Sequence, residues 1–113
     1  MDCLFCKIAS GDIKSDIVYE NEEIVAFKDI SPQAPVHILI IPKKHIPTLN
    51  DISDEDTSLI GRLFIVAKKI AKDLKVEKDG YRFLFNCNKD AGQAVFHIHG
   101  HLLAGRRFQW PPG

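Results

Sequence analysis

The stretch FHIHGHLL, residues 96–103, says most about the fold because polar and apolar side chains alternate along it. Successive side chains of a β-strand point to opposite faces, so His97, His99 and His101 are predicted to share one face. The apolar residues between them would enter the core from the other face. The alternation therefore predicts a strand over residues 95–103, with three imidazoles about 7 Å apart along one face.

The two remaining histidines also belong to an apolar strand pattern. His37 interrupts the apolar run of residues 36–41, and His45 follows shortly after it. A buried imidazole needs a polar partner, so a histidine inside such a run points to a polar site. The alternative, that the alternating histidines are surface side chains, leaves these two without an explanation. We therefore expect all five histidines of the chain to converge on one site.

Outward from this stretch, the sequence alternates between short strands and loops. Four other segments have strand-like composition and are predicted to be strands: residues 17–19, 24–27, 36–41 and 81–86. Residues 31–35 (SPQAP) are predicted to be a loop because two prolines remove hydrogen-bond donors from the backbone. Residues 88–93 are polar, contain a glycine and are also predicted to be a loop.

One long helix is predicted over residues 54–74, where apolar side chains recur at steps of three and four. Ser53 is a suitable N-cap for it. A short helix is predicted over residues 4–9, ended by Gly11. Five strands and one long helix with short connections favour an α+β fold with an antiparallel sheet.

The composition limits the class of protein. The chain has 113 residues, 45% of them apolar, and is predicted to form a single domain over residues 1–113. Fifteen basic and fifteen acidic side chains cancel, which argues against binding to nucleic acid. The apolar runs are too short for a membrane span, and we see no secretory signal. Three cysteines are too few for a disulfide framework, so we expect a reducing, cytoplasmic compartment.

Residues 96–103 resemble the signature of the histidine triad (HIT) family of nucleotide-binding proteins, H-φ-H-φ-H-φ-φ, in which φ is apolar. Gly100 departs from this signature, since an apolar residue is usual there. Other matching segments extend over nearly the whole chain: DISPQAP (29–35) with His37, IPKKHI (41–46), Asn86, Gly92-Gln93 and WPPG (110–113). The closing WPPG is typical of the branch called histidine triad nucleotide-binding proteins, or protein kinase C inhibitor-like proteins.

The resemblance implies a HIT-like fold, in which a five-stranded antiparallel sheet carries one long helix and a short N-terminal helix. It also implies a homodimer whose two sheets join into one sheet of ten strands. The implied activity is that of a purine nucleoside phosphoramidase, which binds purine nucleotides such as AMP and GMP and cleaves P–N bonds of adenosine 5′-phosphoramidates. A cytoplasmic location is implied, with the nucleus as an alternative.

The catalytic roles implied by the resemblance fall on four histidines. His99 matches the nucleophile, whose neutral imidazole attacks the α-phosphorus and forms a nucleotidyl-histidine that water hydrolyses. The main-chain carbonyl of His97 would hold the other ring N–H of His99 and so fix its tautomer. His101 and His37, with main-chain N–H groups around Gly92, could donate hydrogen bonds to the phosphate oxygens.

The resemblance also implies a nucleotide pocket. Asp29 matches the residue that accepts both ribose hydroxyls, although by itself it would be interpreted as a turn cap. Five apolar residues match positions that sandwich the purine, and each is also a candidate core residue: Leu4, Phe5, Ile8, Phe27 and Ile30. On the phosphate side the matching residues are Asn86, Gly92, Gln93 and Ala94. Ala94 replaces a serine that many relatives carry, so it lacks a side-chain donor.

Cys3 and Cys6 form a C-x-x-C pair, a spacing that lets two thiolates bind one zinc ion. Two thiols without a metal are the alternative, and a thioredoxin-like role is disfavoured because the strand–helix context is absent. HIT relatives that carry this pair bind zinc together with histidines matching His45 and His97. The resemblance therefore implies a structural zinc ion held by these four residues.

Three other functions stay open at this point. One is a dinucleoside polyphosphate hydrolase that uses the same His99. Another is a nucleotide-binding regulatory or scaffold protein with incidental turnover, and the third is a small zinc-binding interaction module. Comparing the turnover of adenosine 5′-phosphoramidate with that of diadenosine polyphosphates would separate them most directly.

Overall fold

The computed structural model describes residues 2–113. Its helices and strands follow in this order: α1 (Leu4–Ser10), β1 (Ile17–Glu20), β2 (Ile24–Lys28), β3 (Val36–Pro42), α2 (Thr57–Asp73), β4 (Tyr81–Phe85), α3 (Asn88–Ala91) and β5 (Gly100–Ala104). The five strands form one antiparallel sheet in the order β1-β2-β3-β5-β4. The predicted α+β fold with a five-stranded antiparallel sheet is therefore confirmed.

The two faces of the sheet pack against different helices. On the α2 face the buried residues include Ile24, Ile38, Ile40, Leu63, Val66, Ile70 and Leu102. On the α1 face they include Phe5, Ile8, Val25, Phe27, Leu39 and Ile41. Because helices cover both faces of the sheet at β3, this strand is a nearly continuous apolar run. Because side chains alternate along β3, His37 and Leu39 both lie on the α1 face.

Both predicted helices are present, with small differences at their ends. The main-chain N–H of Gly11, at φ 86°, donates to the carbonyl of Ile8 and ends α1. The long helix starts at Thr57 because the preceding residues form a 3₁₀ turn, in which the Asp56 carboxylate accepts from the main-chain N–H of Ser53 at 3.0 Å. Among residues 2–113, no helix is both long enough and apolar enough to cross a membrane.

The last strand is shorter than predicted. β5 begins only at Gly100, and residues 95–99 leave the regular strand geometry. The cause is that backbone groups of this segment bond outside the sheet: the N–H of Ile98 donates to the carbonyl of Ile46 at 2.8 Å. Alternation in the sequence predicted the facing of the side chains here but could not detect this competing partner.

The segment 88–93, predicted to be a loop, contains the single-turn helix α3. Gly92 ends it at φ 83°, a conformation that favours glycine. The buried side chain of Gln93 holds the segment in place, because its carbonyl accepts from the main-chain N–H of Asn88 and its amide donates to the carbonyls of Pro47 and Val95. The prediction of a plain loop is therefore wrong for these residues.

The glycine that departs from the HIT signature has a packing explanation. A Cβ on Gly100 would overlap the ring of Phe83 and lie 3.0 Å from the ring of Phe85. These two rings, 5.3 Å apart, and the ring of Phe64 from α2 form one aromatic cluster. The aromatic side chains of β4 thus occupy the volume that an apolar side chain would take at residue 100.

Candidate active site

A cavity of about 400 Å³ lies between α1 and the sheet face that carries β3 residue Leu39. Nine of the predicted nucleotide-binding residues line it: Leu4, Phe5, Ile8, Phe27, Asp29, Ile30, Ala94, His99 and His101. Six further lining residues were not predicted: Ile13, Lys14, Ser15, Lys28, Leu39 and Val95. The alternation of β3 could have identified Leu39, whereas nothing in the sequence distinguishes Lys14 and Lys28 from other surface lysines.

Three residues predicted for the phosphate side do not line this cavity. Asn86 follows β4, and Gly92 ends α3. The side-chain amide of Gln93 donates to the carbonyls of Pro47 and Val95. The nucleotide contacts of these three residues remain predictions.

The apolar end of the cavity combines core and surface residues. Phe5, Ile8 and Phe27 are buried, and the rings of Phe5 and Phe27 meet edge to face at 5.4 Å. Ile30, in contrast, is 99% exposed, so its whole side chain is available at the mouth of the cavity. The sequence left open whether these residues belong to the core or to a pocket. Phe5, Ile8 and Phe27 belong both to the core and to the wall of the cavity.

His99 is buried in the cavity wall with one ring nitrogen fixed. Its Nδ1 lies 2.8 Å from the carbonyl oxygen of His97, and because a carbonyl can only accept, Nδ1 carries the proton. The ring of Phe5 meets it edge to face at 5.0 Å. Burial lowers the pKa of His99, which opposes protonation of Nε2. The neutral ring therefore offers an unprotonated Nε2 as a nucleophile.

His101 and His37 form a hydrogen-bonded pair beside His99. The Nε2 of His37 lies 2.9 Å from the Nδ1 of His101 and 3.4 Å from a carboxylate oxygen of Asp29. The ring centres of His99 and His101 are 4.9 Å apart, so the predicted spacing of about 7 Å is wrong. Burial, followed by the neighbouring histidines, lowers the pKa of His101 to about 4. Burial also lowers the pKa of His37, so both rings are neutral at pH 7.

Asp29 has two separate tasks in this structure. Its Oδ1 accepts from the main-chain N–H of Ser31 at 2.8 Å, as expected for a turn cap. Its Oδ2 faces His37, and the residue lines the cavity. The turn interpretation therefore holds for one carboxylate oxygen, while the other faces the histidine pair.

Asp29, His37 and His101 place three potential metal ligands within 4.8 Å of one another. A cation is disfavoured there because the main-chain N–H of Gln33 donates to Nδ1 of His37 at 3.0 Å. That nitrogen must then be unprotonated, so the proton of the neutral ring is on Nε2, the atom that would have to bind the metal. The group fits a hydrogen-bonded relay better than a metal site.

A second cluster, formed by Cys3, Cys6, His45 and His97, fits a tetrahedral cation. The Nδ1 atoms of the two histidines are 3.2 Å apart, and the sulfur–nitrogen distances within the cluster are 3.4, 3.4 and 3.5 Å. Zinc bonded at about 2.3 Å to sulfur and about 2.0 Å to nitrogen requires nitrogen–nitrogen and sulfur–nitrogen edges of about 3.3 to 3.5 Å. The donor atoms are therefore already spaced for one zinc ion.

The orientation of His97 supports the same interpretation. Its Nε2 lies 2.7 Å from the carbonyl oxygen of Pro42 and must donate to it, which leaves an unprotonated Nδ1 pointing at the cysteines. Burial and the neighbouring Cys3 raise the pKa of the Cys6 thiol. A bound cation would act in the opposite direction, because thiolates are the ligating form.

The five histidines thus form two adjacent groups instead of the single site predicted from the sequence. His99 and His101 line the cavity and His37 is hydrogen-bonded to His101, whereas His45 and His97 belong to the cysteine cluster. The two groups are linked through His97, whose carbonyl holds His99. His97 therefore takes part in both groups, as a member of the cysteine cluster and through the carbonyl that accepts from His99.

The chain is similar over nearly its whole length to known HIT proteins. The HIT domain profile matches residues 10–108. The purine nucleoside phosphoramidase of Escherichia coli strain K12 is 52% identical over 105 residues, which cover 93% of this chain and 88% of that protein. An uncharacterised HIT-like protein of Synechocystis is 48% identical over 112 residues, which cover 99% of this chain and 97% of that protein.

Solved structures agree with the sequence comparison. A HIT family hydrolase from Legionella pneumophila matches with a TM-score of 0.98 at 54% identity, covering 99% of this chain and all of that one. A histidine triad protein from Clostridium difficile matches with a TM-score of 0.94 at 46% identity, covering 96% of this chain and 95% of that one. Together with the arrangement of the histidines, these matches show that the chain belongs to the HIT domain family and is a hydrolase of that family.

Proposed function

We propose that this HIT hydrolase is a purine nucleoside phosphoramidase that cleaves the P–N bond of adenosine 5′-phosphoramidates through a nucleotidyl intermediate on His99. The proposal is carried by the orientation of His99. Its Nδ1 proton is held by the His97 carbonyl, so the lone pair of Nε2 is available in an apolar cavity that also contains a carboxylate. The 52% identical phosphoramidase supports the same reaction.

The shape of the cavity is consistent with a nucleoside. The apolar end, with Phe5 and Phe27 edge to face, offers flat surfaces to a purine base. Asp29 lines the same cavity next to His37, and its Oδ2 is not used by the turn. A carboxylate there suits the two ribose hydroxyls, since it can accept two hydrogen bonds.

The reaction then proceeds in two steps at the α-phosphorus. Nε2 of His99 attacks, the bond from phosphorus to the leaving nitrogen breaks, and the leaving nitrogen takes up a proton from solvent water and departs as an amine. A water molecule then attacks the nucleotidyl-histidine and gives up a proton to solvent, which releases AMP from an adenosine substrate and returns His99 to its neutral form. His101, 4.9 Å from His99 between ring centres, is placed to donate a hydrogen bond to the phosphoryl oxygens.

The cysteine cluster is proposed to hold one structural zinc ion. Four protein ligands leave no open coordination position, which is typical of structural sites. Cys3 and Cys6 belong to the N-terminal segment, so a zinc ion bound by all four residues would hold that segment against the sheet. Hydrolysis is not routed through the zinc, since the proposed nucleophile is His99.

A homodimer that joins two sheets along β4 is also proposed. β4 is an outer strand of the sheet, and an unpaired edge is open to pairing with another chain. Next to it, Phe64 of α2 is 50% exposed although it packs against Phe83 and Phe85. A large aromatic side chain half exposed beside an open edge is typical of an interface.

Steady-state turnover of adenosine 5′-phosphoramidate, measured beside diadenosine tetraphosphate, tests the proposed function. We expect kcat/KM to be at least about tenfold higher for the phosphoramidate, a difference of about 1.4 kcal/mol in transition-state binding. A preference for the dinucleotide would favour a dinucleoside polyphosphate hydrolase. Tight AMP binding without turnover of either substrate would instead indicate a regulatory nucleotide-binding protein.

A further inference from the structure

The main chain of the loop at residues 31–35 contacts the histidine pair directly. The N–H of Gln33 donates to Nδ1 of His37 at 3.0 Å. A ring nitrogen that accepts a hydrogen bond carries no proton, and a neutral imidazole carries its single proton on the other nitrogen. The proton of His37 is therefore on Nε2.

The same reasoning extends to His101. Nε2–H of His37 donates to Nδ1 of His101 at 2.9 Å, so that nitrogen is also unprotonated and the proton of His101 is on its Nε2. This Nε2 is buried and has no hydrogen-bond partner among residues 2–113. His101 lines the cavity, so the unsatisfied N–H is available to an acceptor on a bound ligand.

The loop that provides this N–H is fastened to the segment after β5. Nε of Arg106 donates to the carbonyl of Gln33 at 3.0 Å, and the guanidinium stacks 4.3 Å from the ring centre of Phe108. Gly105, at φ 93°, approaches Pro35 so closely that a Cβ would lie 2.8 Å from it. The middle of the loop, at Gln33, and its end, at Pro35, are thereby held in one position relative to the histidines.

We propose that the main-chain amide of Gln33, restrained by Arg106, is a positioning group that fixes the protons of His37 and His101 so that His101 presents an N–H donor to the phosphoryl group. This inference rests on the proposed function, since it assumes that a phosphoryl group occupies the cavity beside His99. With the opposite tautomer, His101 would turn a lone pair toward the phosphoryl oxygens, which repels them instead of stabilising them. Neither Gln33 nor Arg106 touches the substrate in this role.

The wild-type protein without nucleotide provides the first test. Long-range ¹H–¹⁵N correlation spectra at pH 7 distinguish the two tautomers of each ring, with assignments from His37→Asn and His101→Asn. We expect the proton on Nε2 in both rings. A proton on Nδ1 of either ring would overturn the proposal. Because this measurement needs no turnover, it stands even if the protein fails to cleave phosphoramidates, which would refute only the proposed function.

Gln33→Pro removes the N–H, and Gln33→Ala is the matched control because it keeps that N–H. In the proline variant we expect both tautomers to become mixed and kcat to fall about tenfold with little change in KM, since activity follows the fraction of molecules in the competent tautomer. The alanine variant should keep the wild-type tautomers. A proline variant with wild-type spectra and kcat would contradict the proposal.

Variants of Arg106 test the same proposal independently if the proline variant does not fold. Arg106→Leu should lower kcat severalfold without raising KM, and Arg106→Lys should restore part of it because the ammonium can still donate to the carbonyl. Arg107→Leu is the control, since the structure gives its side chain no contact with the loop at residues 31–35. Equal kcat values for Arg106→Leu and Arg107→Leu would remove Arg106 from the mechanism.

Discussion

At the scale of single residues, the chemistry of this site depends on which ring nitrogens carry protons. Main-chain groups decide this for three of the five histidines: carbonyls accept from His97 and His99, and an amide donates to His37. The neutral imidazole of histidine has two tautomers of similar energy in water, so a single hydrogen bond is enough to select one of them. The backbone therefore leaves Nδ1 of His97 unprotonated beside the cysteines and Nε2 of His99 unprotonated for its proposed role as the nucleophile.

The first prediction concerns the nucleophile. His99→Asn should lower kcat by at least about 1,000-fold, because it removes a group that bonds only to the reacting phosphorus. The affinity for AMP, measured by calorimetry, should change little, since the apolar end of the cavity is untouched. Substantial turnover in this variant would exclude His99 as the nucleophile. Quenching the wild type during turnover should also reveal the mass of a nucleotide on the protein.

The second prediction concerns the effect of pH on stability. The pKa of His101 falls from 6.5 to about 4, mainly through burial. Between these values the unfolded chain binds a proton that the folded chain does not, so the free energy of unfolding decreases as the pH falls through this range. Replacing the imidazole by His101→Asn should remove this contribution. The other four histidines remain in both proteins, so the comparison reports the loss of this ring together with its hydrogen bond to His37.

Calorimetric Tm values at pH 7 and pH 4.5 test this expectation. The wild type should lose several degrees more than the His101→Asn variant over this interval. Parallel Tm profiles for the two proteins would show that His101 is protonated equally in the folded and unfolded chains. That result would contradict the direction of its pKa shift.

At the scale of elements, α1 is the part of the fold whose stability depends most on contacts with other segments. It has only seven residues, too few for a stable isolated helix. Its Phe5 and Ile8 pack on the sheet, and Cys3 and Cys6 at its start join the cluster with His45 and His97. The same helix therefore connects the proposed zinc site to the base end of the cavity.

The third prediction follows from this connection. Purified protein should contain about one zinc ion per chain, the stoichiometry of a single four-ligand site. Cys3→Ser combined with Cys6→Ser should lose the metal and melt at a lower temperature, because metal binding is coupled to folding. Hydrolysis should largely persist at low temperature. Metal analysis, Tm and kcat of the same samples give the three readouts.

Cys87→Ser is the matched control for this experiment, because Cys87 lies outside the cluster. It should keep both the zinc and the wild-type Tm. Two results would contradict the prediction: a wild type without metal when purified under reducing conditions with zinc present, or a double variant that keeps its Tm but loses all turnover.

At the scale of the whole molecule, the two edges of the sheet differ. β1 forms one edge and β4 the other, and only β4 lies beside the aromatic cluster of Phe64, Phe83 and Phe85. The cavity lies on the opposite face of the sheet, with α1. An assembly along β4 would therefore extend the sheet and leave the apolar end of the cavity open.

The fourth prediction tests this assembly. Light scattering at micromolar concentration should give twice the mass of one chain for the wild type. Phe64→Glu should shift the protein to a monomer, since a charge buried at an interface without a partner costs several kcal/mol. Ile17→Glu, an exposed position on β1, should remain a dimer. A monomeric wild type, or a Phe64→Glu variant of unchanged mass, would refute the proposed interface.

Local patterns in the sequence were enough to predict most of the fold. The steps of three and four in α2, the glycine after α1 and the strand-like segments depend on short-range periodicity and backbone preferences, which a single segment expresses by itself. The alternating histidine motif around His99, taken with its resemblance to a known family, was enough to predict the proposed nucleophile. The bend at residues 95–99 was missed because a local pattern does not reveal a hydrogen-bond partner in a distant segment.

Only the tertiary structure decided how the histidines divide between two groups. Cys3 and His97 are 94 positions apart, and their contact exists only after α1 packs against the sheet. Arg106 and the carbonyl of Gln33, 73 positions apart, meet for the same reason. Residue types and spacing predict which groups are capable of chemistry, whereas the folded backbone selects the nitrogen that carries each proton, because that choice depends on partners brought together only by folding.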